Sequence, residues 1–166
     1  FKLINFNIIM FSVIIPTLNE ENNIKGVVKQ FSSIKSKYNI EIIVSDSGST
    51  DQTVDIARKY CDKVVSYPGN NCNISKARNY GAKHAKNEVF IFLDADILID
   101  NINNFFKIIK DSTNINNIIA ISPRISIYPL EETMIDKCIH LVITLISNVV
   151  NGIGFSYSRG GCQIIL

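Results

Sequence analysis

The sequence predicts a three-layer α/β/α fold around a mostly parallel central sheet. Short apolar runs rich in β-branched residues recur along the chain, and stretches with apolar residues at helical spacing follow them. Continuous apolar strands alternating with helices imply a sheet covered on both faces. Pro16, Asp46 and Asp94 stand where three of these runs end. In such sheets ligands bind at the carboxyl ends of the strands, so these positions are where a site is expected.

The first run, IIMFSVIIP over 8–16, reads as a buried strand that stops at Pro16. TLNEENNIKGVVKQFSSIK follows, with Ile24, Val27, Val28, Phe31 and Ile34 at helical spacing and Asn19 or Glu20 near the helix start. EIIVS is a second strand, DSGST a turn, and DQTVDIARKY a helix with Asp51 placed to cap its first turn. KVVSY is a third strand. NISKARNYGAKHA is a helix whose Ile74, Ala77, Ala82 and Ala85 are expected to face inward. The strand EVFIFL, a helix near NINNFFKIIK and a β-rich run, NIIAISPRISIY, come next. RGGCQIIL closes the sequence on an apolar strand with no cap after it, which reads as a chain cut short.

A length of 166 residues suits one domain with a sizeable core. Residues 1–9 read as an N-terminal extension without the features of a secretory signal, and 10–166 as the domain, incomplete at its C-terminus. Seventeen basic against fifteen acidic residues, a net charge of +2, give no field that would draw nucleic acid. Cys61, Cys72, Cys138 and Cys162 are widely spaced, which fits free structural thiols in a reducing compartment and a cytoplasmic location. His84 and His140 lie in no motif and read as structural.

Residues 138–158, CIHLVITLISNVVNGIGFSYS, carry no Asp, Glu, Lys or Arg. Asn148, Asn151, Gly152 and Gly154 interrupt the second half, so a buried or interfacial helix fits better than a membrane span. Peripheral contact at the cytoplasmic face of a membrane is the alternative use of this stretch.

The run VFIFLDADILID sets Asp94 and Asp96 at the end of a buried strand. In an extended strand, residues two apart face one side roughly 6.6 to 6.8 Å apart, too far to grip one ion unless the chain turns. At a strand end it can turn. One carboxylate could then ligate a divalent cation while the other accepts a hydroxyl hydrogen bond. Two solvated aspartates opening the next helix would leave the same pattern, so the pair needs its context.

That context is SVIIPTLNEENNI, IIVSDSGSTDQTV, ISKARNYGAKHAKNEVFIFLDADI and GGCQIIL, in this order and spacing. Together they resemble the family 2 glycosyltransferases of GT-A fold, over nearly all of 11–166. The resemblance implies an inverting transfer from a UDP- or GDP-sugar to a glycan or lipid-linked acceptor, with Mg²⁺ or Mn²⁺, in glycan or cell-envelope synthesis. It casts Asp96 as the main metal and diphosphate partner and Asp94 as ribose contact and second metal ligand, with Ala95 between them. Asp46 would accept from a ring nitrogen of the base, and Ser47 stands where the family's DDGS turn has a second Asp. Arg78 would approach the base or phosphates, and Pro16, Thr17, Asn19 and Glu20 would line the nucleotide pocket.

The family's catalytic base lies after the strand that GGCQIIL resembles, so here it is expected beyond Leu166 and none is assigned. Plain structural roles compete throughout: Asp46 and Asp51 as caps, Arg78 as a solvated helix face, Glu20 as part of a helix N-terminus. At the level of function, the alternative is a noncatalytic, membrane-peripheral nucleotide-sugar-binding module. A dinucleotide oxidoreductase is disfavoured because GIGFSYS lacks the third glycine and a preceding strand. A nucleotidyltransferase is disfavoured because PTLNEENN is acidic, not glycine-rich and basic.

Overall fold

In the computed structural model the described residues are 9–69, 71–113, 120–123, 133–135, 139, 142 and 161–166. Strands β1 (Phe11–Thr17), β2 (Ile40–Asp46), β3 (Lys63–Ser66), β4 (Val89–Leu93), β5 (Ala120–Ile121) and β6 (Cys162–Ile165) form one sheet in the order β3-β2-β1-β4-β6-β5. The four strands from β3 to β4 run parallel, whereas β6 is antiparallel to both β4 and β5. Helices α1 (Ile24–Lys29), α2 (Lys35–Tyr38), α3 (Thr53–Ala57), α4 (Ile74–Lys83) and α5 (Ile102–Ser112) connect them.

All seven residues of β1 are buried, as its central place and continuous apolar run require. Phe11, Val13 and Ile15 share a core with Ile24, Val27, Val28 and Phe31 of the α1 segment and Phe106 of α5. The Phe106 ring meets Phe11 edge-on at 5.1 Å and stacks on Tyr38 at 5.0 Å. Ser12, one of two buried polar residues in β1, donates to Glu41 Oε2 at 3.0 Å, which offsets the cost of burying its hydroxyl.

Helix α4 packs so closely on β1 and β2 that a Cβ at Gly81 would lie 2.6 Å from Ile14 Cγ2 and 3.1 Å from Ser45 Cβ. Ala77 and Gly81 are therefore its inward residues, and Ile74, expected inward, is 51% exposed. Small side chains, not the most apolar ones, set this contact. Ala82 and Ala85 are half-buried.

The expected first helix is divided. It ends at Lys29, turns through 30–34 and resumes as α2, which stops at Asn39 in the left-handed region (φ 49°). Phe31 and Ile34 are buried all the same. Of the β-rich run at 117–128 only 120–123 are described, and of 138–158 only 139 and 142, both helical and exposed. No helix among the described residues is long and apolar enough to cross a membrane.

Candidate functional site

The carboxyl ends of β1, β2 and β4 meet at one edge of the sheet. Thr17 stands opposite Asp46, and Ile14 opposite Phe92, so the loops that begin at Leu18, Ser47 and Asp94 open at the same end. With β1 between them, the ends of β2 and β4 are two strand spacings apart, about 10 Å. The sheet thus gathers the candidate carboxylates that lie far apart in sequence.

The first two loops are stitched together. Asn19 N–H donates to Ser49 Oγ (2.9 Å), and Asn19 Oδ1 accepts from Thr50 N–H (2.8 Å). Glu20 N–H donates to Thr53 Oγ1 (2.7 Å), and Glu21 N–H to Asp51 Oδ2 (3.1 Å). Asp51 Oδ1 accepts from Thr53 N–H at 3.0 Å, so it meets the first N–H of α3 from one position before the N-cap residue, Gln52. Burial is the largest influence on the Asp51 carboxyl and raises its pKa, but the Thr53 and Glu21 hydrogen bonds together outweigh it and the group lies below its ordinary value.

Asp46 is only 2% exposed. Its Oδ2 accepts from Gly48 N–H (2.9 Å) and Ser49 N–H (3.0 Å), and its Oδ1 from Ser49 Oγ (2.5 Å) and Thr17 Oγ1 (3.3 Å). Each carboxylate oxygen has about two acceptor positions, and all are used. That runs against Asp46 as the acceptor for a base N–H: the Asp-Ser-Gly-Ser turn, with Gly48 at φ 99°, directs its own donors at the carboxylate. The next side chain, Ser47, is half-buried and donates to Cys72 Sγ at 3.3 Å. Pro16 and Thr17 are buried in β1, and Asn19 is occupied by the second loop.

The third loop differs. The chain turns directly after β4, with Ile97 N–H donating to the Asp94 carbonyl at 3.2 Å. Ala95 points into the core at 4% exposure and Asp96 is exposed. Asp94 N–H donates to the Gly161 carbonyl (2.9 Å), so β6 holds this turn from the other side.

Arg78 reaches across from α4, its Nη2 donating to Asp94 Oδ1 at 2.5 Å, with the two side chains 11% and 23% exposed. Burial nonetheless holds the Asp94 carboxyl above its ordinary value. Arg78 opposes that rise, while the charges of Asp96 and Glu20 add to it. Four expected residues, Glu20, Arg78, Asp94 and Asp96, therefore share one electrostatic environment. Beneath them the buried Cys162 thiol is pushed up to about 12, chiefly by burial and further by Asp94. Such a thiol is an inert wall, not a nucleophile.

Among the described residues no three His, Cys, Asp or Glu side chains are grouped to hold a metal by themselves. Asp94 and Asp96 are hard oxygen donors, and among the described residues neither Asp94 Oδ2 nor the Asp96 carboxylate accepts a hydrogen bond. That donor set fits Mg²⁺ or Mn²⁺, which commonly takes one or two carboxylates and fills the rest of its shell with phosphate oxygens and water.

One supporting residue escapes the motifs. Gln30, past the end of α1, donates through Nε2 to the Ile97 carbonyl (3.2 Å) and accepts at Oε1 from Ile99 N–H (2.8 Å). It clamps the backbone just beyond Asp96. A polar residue between two apolar helical positions was its only trace in sequence. His84 is structural as expected: Nδ1 lies 2.9 Å from the Tyr80 carbonyl and the ring packs on Tyr80. Cys61, Cys72 and Cys162 are free thiols, while Cys138 and His140 lie outside the described residues.

The profile of Glycosyl transferase family 2 matches residues 12–144. An uncharacterised glycosyltransferase of Rickettsia typhi is 39% identical over 90 residues, 54% of this chain and 28% of the relative. The poly(ribitol-phosphate) beta-N-acetylglucosaminyltransferase TarS of Staphylococcus aureus is 36% identical over 95 residues, 54% of this chain and 17% of the relative. The chain thus spans under a third of the length of either. Among solved structures, glucosyl-3-phosphoglycerate synthase from Mycobacterium tuberculosis, in complex with Mn²⁺, UDP-glucose and phosphoglyceric acid, superposes with a TM-score of 0.66 at 24% identity, over 94% of this chain and 56% of that one. The mannosyltransferase PcManGT from Pyrobaculum calidifontis, in complex with GDP-Man and Mn²⁺, gives 0.66 at 19% identity over 93% and 44%. Both likenesses bear on the fold, which is that of the GT-A glycosyltransferases. With four-fifths of its length matched by the family profile and the family's motifs placed at one sheet edge, this chain belongs to glycosyl transferase family 2.

Proposed function

We propose that the crevice at the ends of β1, β2 and β4 binds a nucleoside-diphosphate sugar with Mg²⁺ or Mn²⁺ and that the protein transfers the sugar with inversion to a glycan or lipid-linked acceptor. The observation that carries this reading is the convergence of Glu20, Arg78, Asp94 and Asp96 on one environment at that edge. Asp94 and Asp96 would hold the cation, which when bound supplies positive charge to the departing diphosphate. Arg78 offers a planar fork of donors suited to phosphate oxygens. Ser47 and Cys72, beside the filled Asp46, offer neutral polar groups to a base. Gln30 and β6 keep the metal-binding turn rigid from two sides. UDP-glucose and GDP-mannose, held by the structurally similar enzymes, are the donors to try first.

Inversion requires a base to take the acceptor's proton as its hydroxyl attacks opposite the leaving diphosphate. No described residue is assigned as that base. A noncatalytic module would share the donor site but not this group, so measuring sugar release from the donor with and without candidate acceptors separates the two readings. Contact with a membrane draws support from Met134, Ile135, Ile139 and Val142, all exposed. Flotation with liposomes tests it, and a fully soluble fraction at low salt counts against it. For the donor site, calorimetric titration with UDP-glucose and GDP-mannose should show Mn²⁺-dependent binding that Asp96→Ala abolishes. Undiminished binding in that variant defeats the assignment.

A further inference from the structure

We propose that Arg78 is a resident counter-ion for Asp94, and that its transfer to an incoming phosphate makes cation and nucleotide binding reinforce each other. The proposal rests on the donor-site reading above and goes beyond it by assigning the coupling within that site to one side chain.

Arg78 Nη2 and Asp94 Oδ1 are 2.5 Å apart in a mostly desolvated setting, where like and opposite charges are felt strongly. Of the Asp94 oxygens, Oδ1 is taken by the guanidinium and Oδ2 accepts no hydrogen bond among the described residues. A divalent cation arriving alone must therefore either displace the guanidinium or settle beside it, and both are opposed by the charge already present. A diphosphate changes this balance. It presents several anionic oxygens that match the guanidinium fork, so Arg78 can leave Asp94 without losing an anionic partner.

The anchoring of Arg78 suits this exchange. Its helix packs on the sheet through the buried Ala77 and Gly81, the latter so close that a Cβ there would lie 2.6 Å from Ile14 Cγ2. The side chain above that base is long and rotatable, so its tip can change partner while its Cα stays in place. Glu20 and Asp96, which also act on Asp94, keep the surroundings negative once Arg78 has moved, and so favour the cation. Coupling between two ligands is reciprocal, so whatever the nucleotide adds to cation affinity the cation adds to nucleotide affinity.

The test is calorimetric titration of Mn²⁺ into the full chain, with and without saturating UDP, for the unaltered protein, Arg78→Gln and Arg78→Lys. Arg78→Gln should bind Mn²⁺ alone about tenfold more tightly, bind UDP less tightly, and show a smaller gain in Mn²⁺ affinity when UDP is present. Arg78→Lys keeps the charge and should gain less Mn²⁺ affinity than Arg78→Gln. A folded Arg78→Gln whose Mn²⁺ affinity is unchanged or weaker overturns the proposal. Should its melting curve show loss of the fold, Arg78→Met, which keeps the apolar stem, replaces it under the same criteria. Asp96→Ala distinguishes the two levels of the argument. If it leaves Mn²⁺ binding intact, the site reading fails; if it abolishes binding while Arg78→Gln gains nothing, only the counter-ion proposal fails.

Discussion

Replacing Asp46 by Asn separates two uses of the carboxylate at the end of β2. If the group holds its own turn, the cost is structural. Asn can still accept from Gly48 and Ser49 N–H through its oxygen, now without charge, while its amide faces the Thr17 and Ser49 hydroxyls, which can rotate to accept. Exchanging two charge-assisted hydrogen bonds for neutral ones costs about 1 kcal/mol each, so Asp46→Asn should lose about 2 kcal/mol. Asp46→Ala leaves two N–H groups and two hydroxyls without their acceptor and should lose about 4 kcal/mol or more. For a domain of this length, each kcal/mol lowers the melting temperature by about 2 to 4 °C.

Thermal melts should therefore place Asp46→Asn about 4 to 8 °C below the parent, with Asp46→Ala lower still. Below those transitions, UDP binding to Asp46→Asn in the presence of Mn²⁺ should weaken less than threefold. The opposite pattern, an unchanged melting temperature with nucleotide affinity lost tenfold or more, would refute the structural account and restore Asp46 as a reader of the base.

Gly81→Ala drives a Cβ to 2.6 Å from the fully buried Ile14, an overpacking cost of about 1 to 3 kcal/mol that the gain of about 1 kcal/mol in helix propensity only partly offsets; urea unfolding should show a net loss. Asp51 has a depressed pKa, so its stabilisation is complete above the ordinary value of 3.8 and disappears as pH falls through the lower folded value; Asp51→Asn should flatten that part of an acid-unfolding curve and leave the Asp46 turn intact. Cys162, held near 12, should resist alkylation at pH 8 until the protein unfolds, as mass spectrometry of labelled peptides can show; rapid native labelling would contradict its burial. Gln30→Ala removes both clamps on 97–99 and should weaken Mn²⁺ binding severalfold with a loss of about 1 to 2 kcal/mol in stability; equal Mn²⁺ affinity in titration would show that the clamp does not act on Asp96.

The mostly parallel sheet, though not its strand order, was legible because a central parallel strand must be apolar on both faces, and β1, β2 and β4 largely are. Their ends could be read as a site for the same reason, since a carboxylate directly after such a run has nowhere to go but the open edge. What sequence could not supply was distance. Nothing in NISKARNYGAKHA says that α4 sits close enough to the sheet to exclude a Cβ at Gly81, so the more apolar Ile74 looked like the inward residue. The break between α1 and α2 also escaped, because Phe31 and Ile34 are buried whether or not the helix continues between them. Gln30 acts on residues nearly seventy positions away, and no local pattern encodes that pairing.

The contrast between Asp46 and Asp94 shows what a motif leaves open. Both follow a buried strand and both sit at the ligand edge. Asp46 is followed by Ser-Gly-Ser, and a glycine at positive φ lets two N–H groups turn back onto the carboxylate. Asp94 is followed by Ala95, which buries its methyl group, and among the described residues no backbone donor reaches the Asp94 side chain, whose charge is met by Arg78 instead. Backbone donors are fixed in place, and a ligand cannot recruit a carboxylate that they hold. A side-chain counter-ion can change partners. Of two carboxylates that look equivalent in sequence, the one balanced by a side-chain cation is therefore the one we propose as the metal ligand.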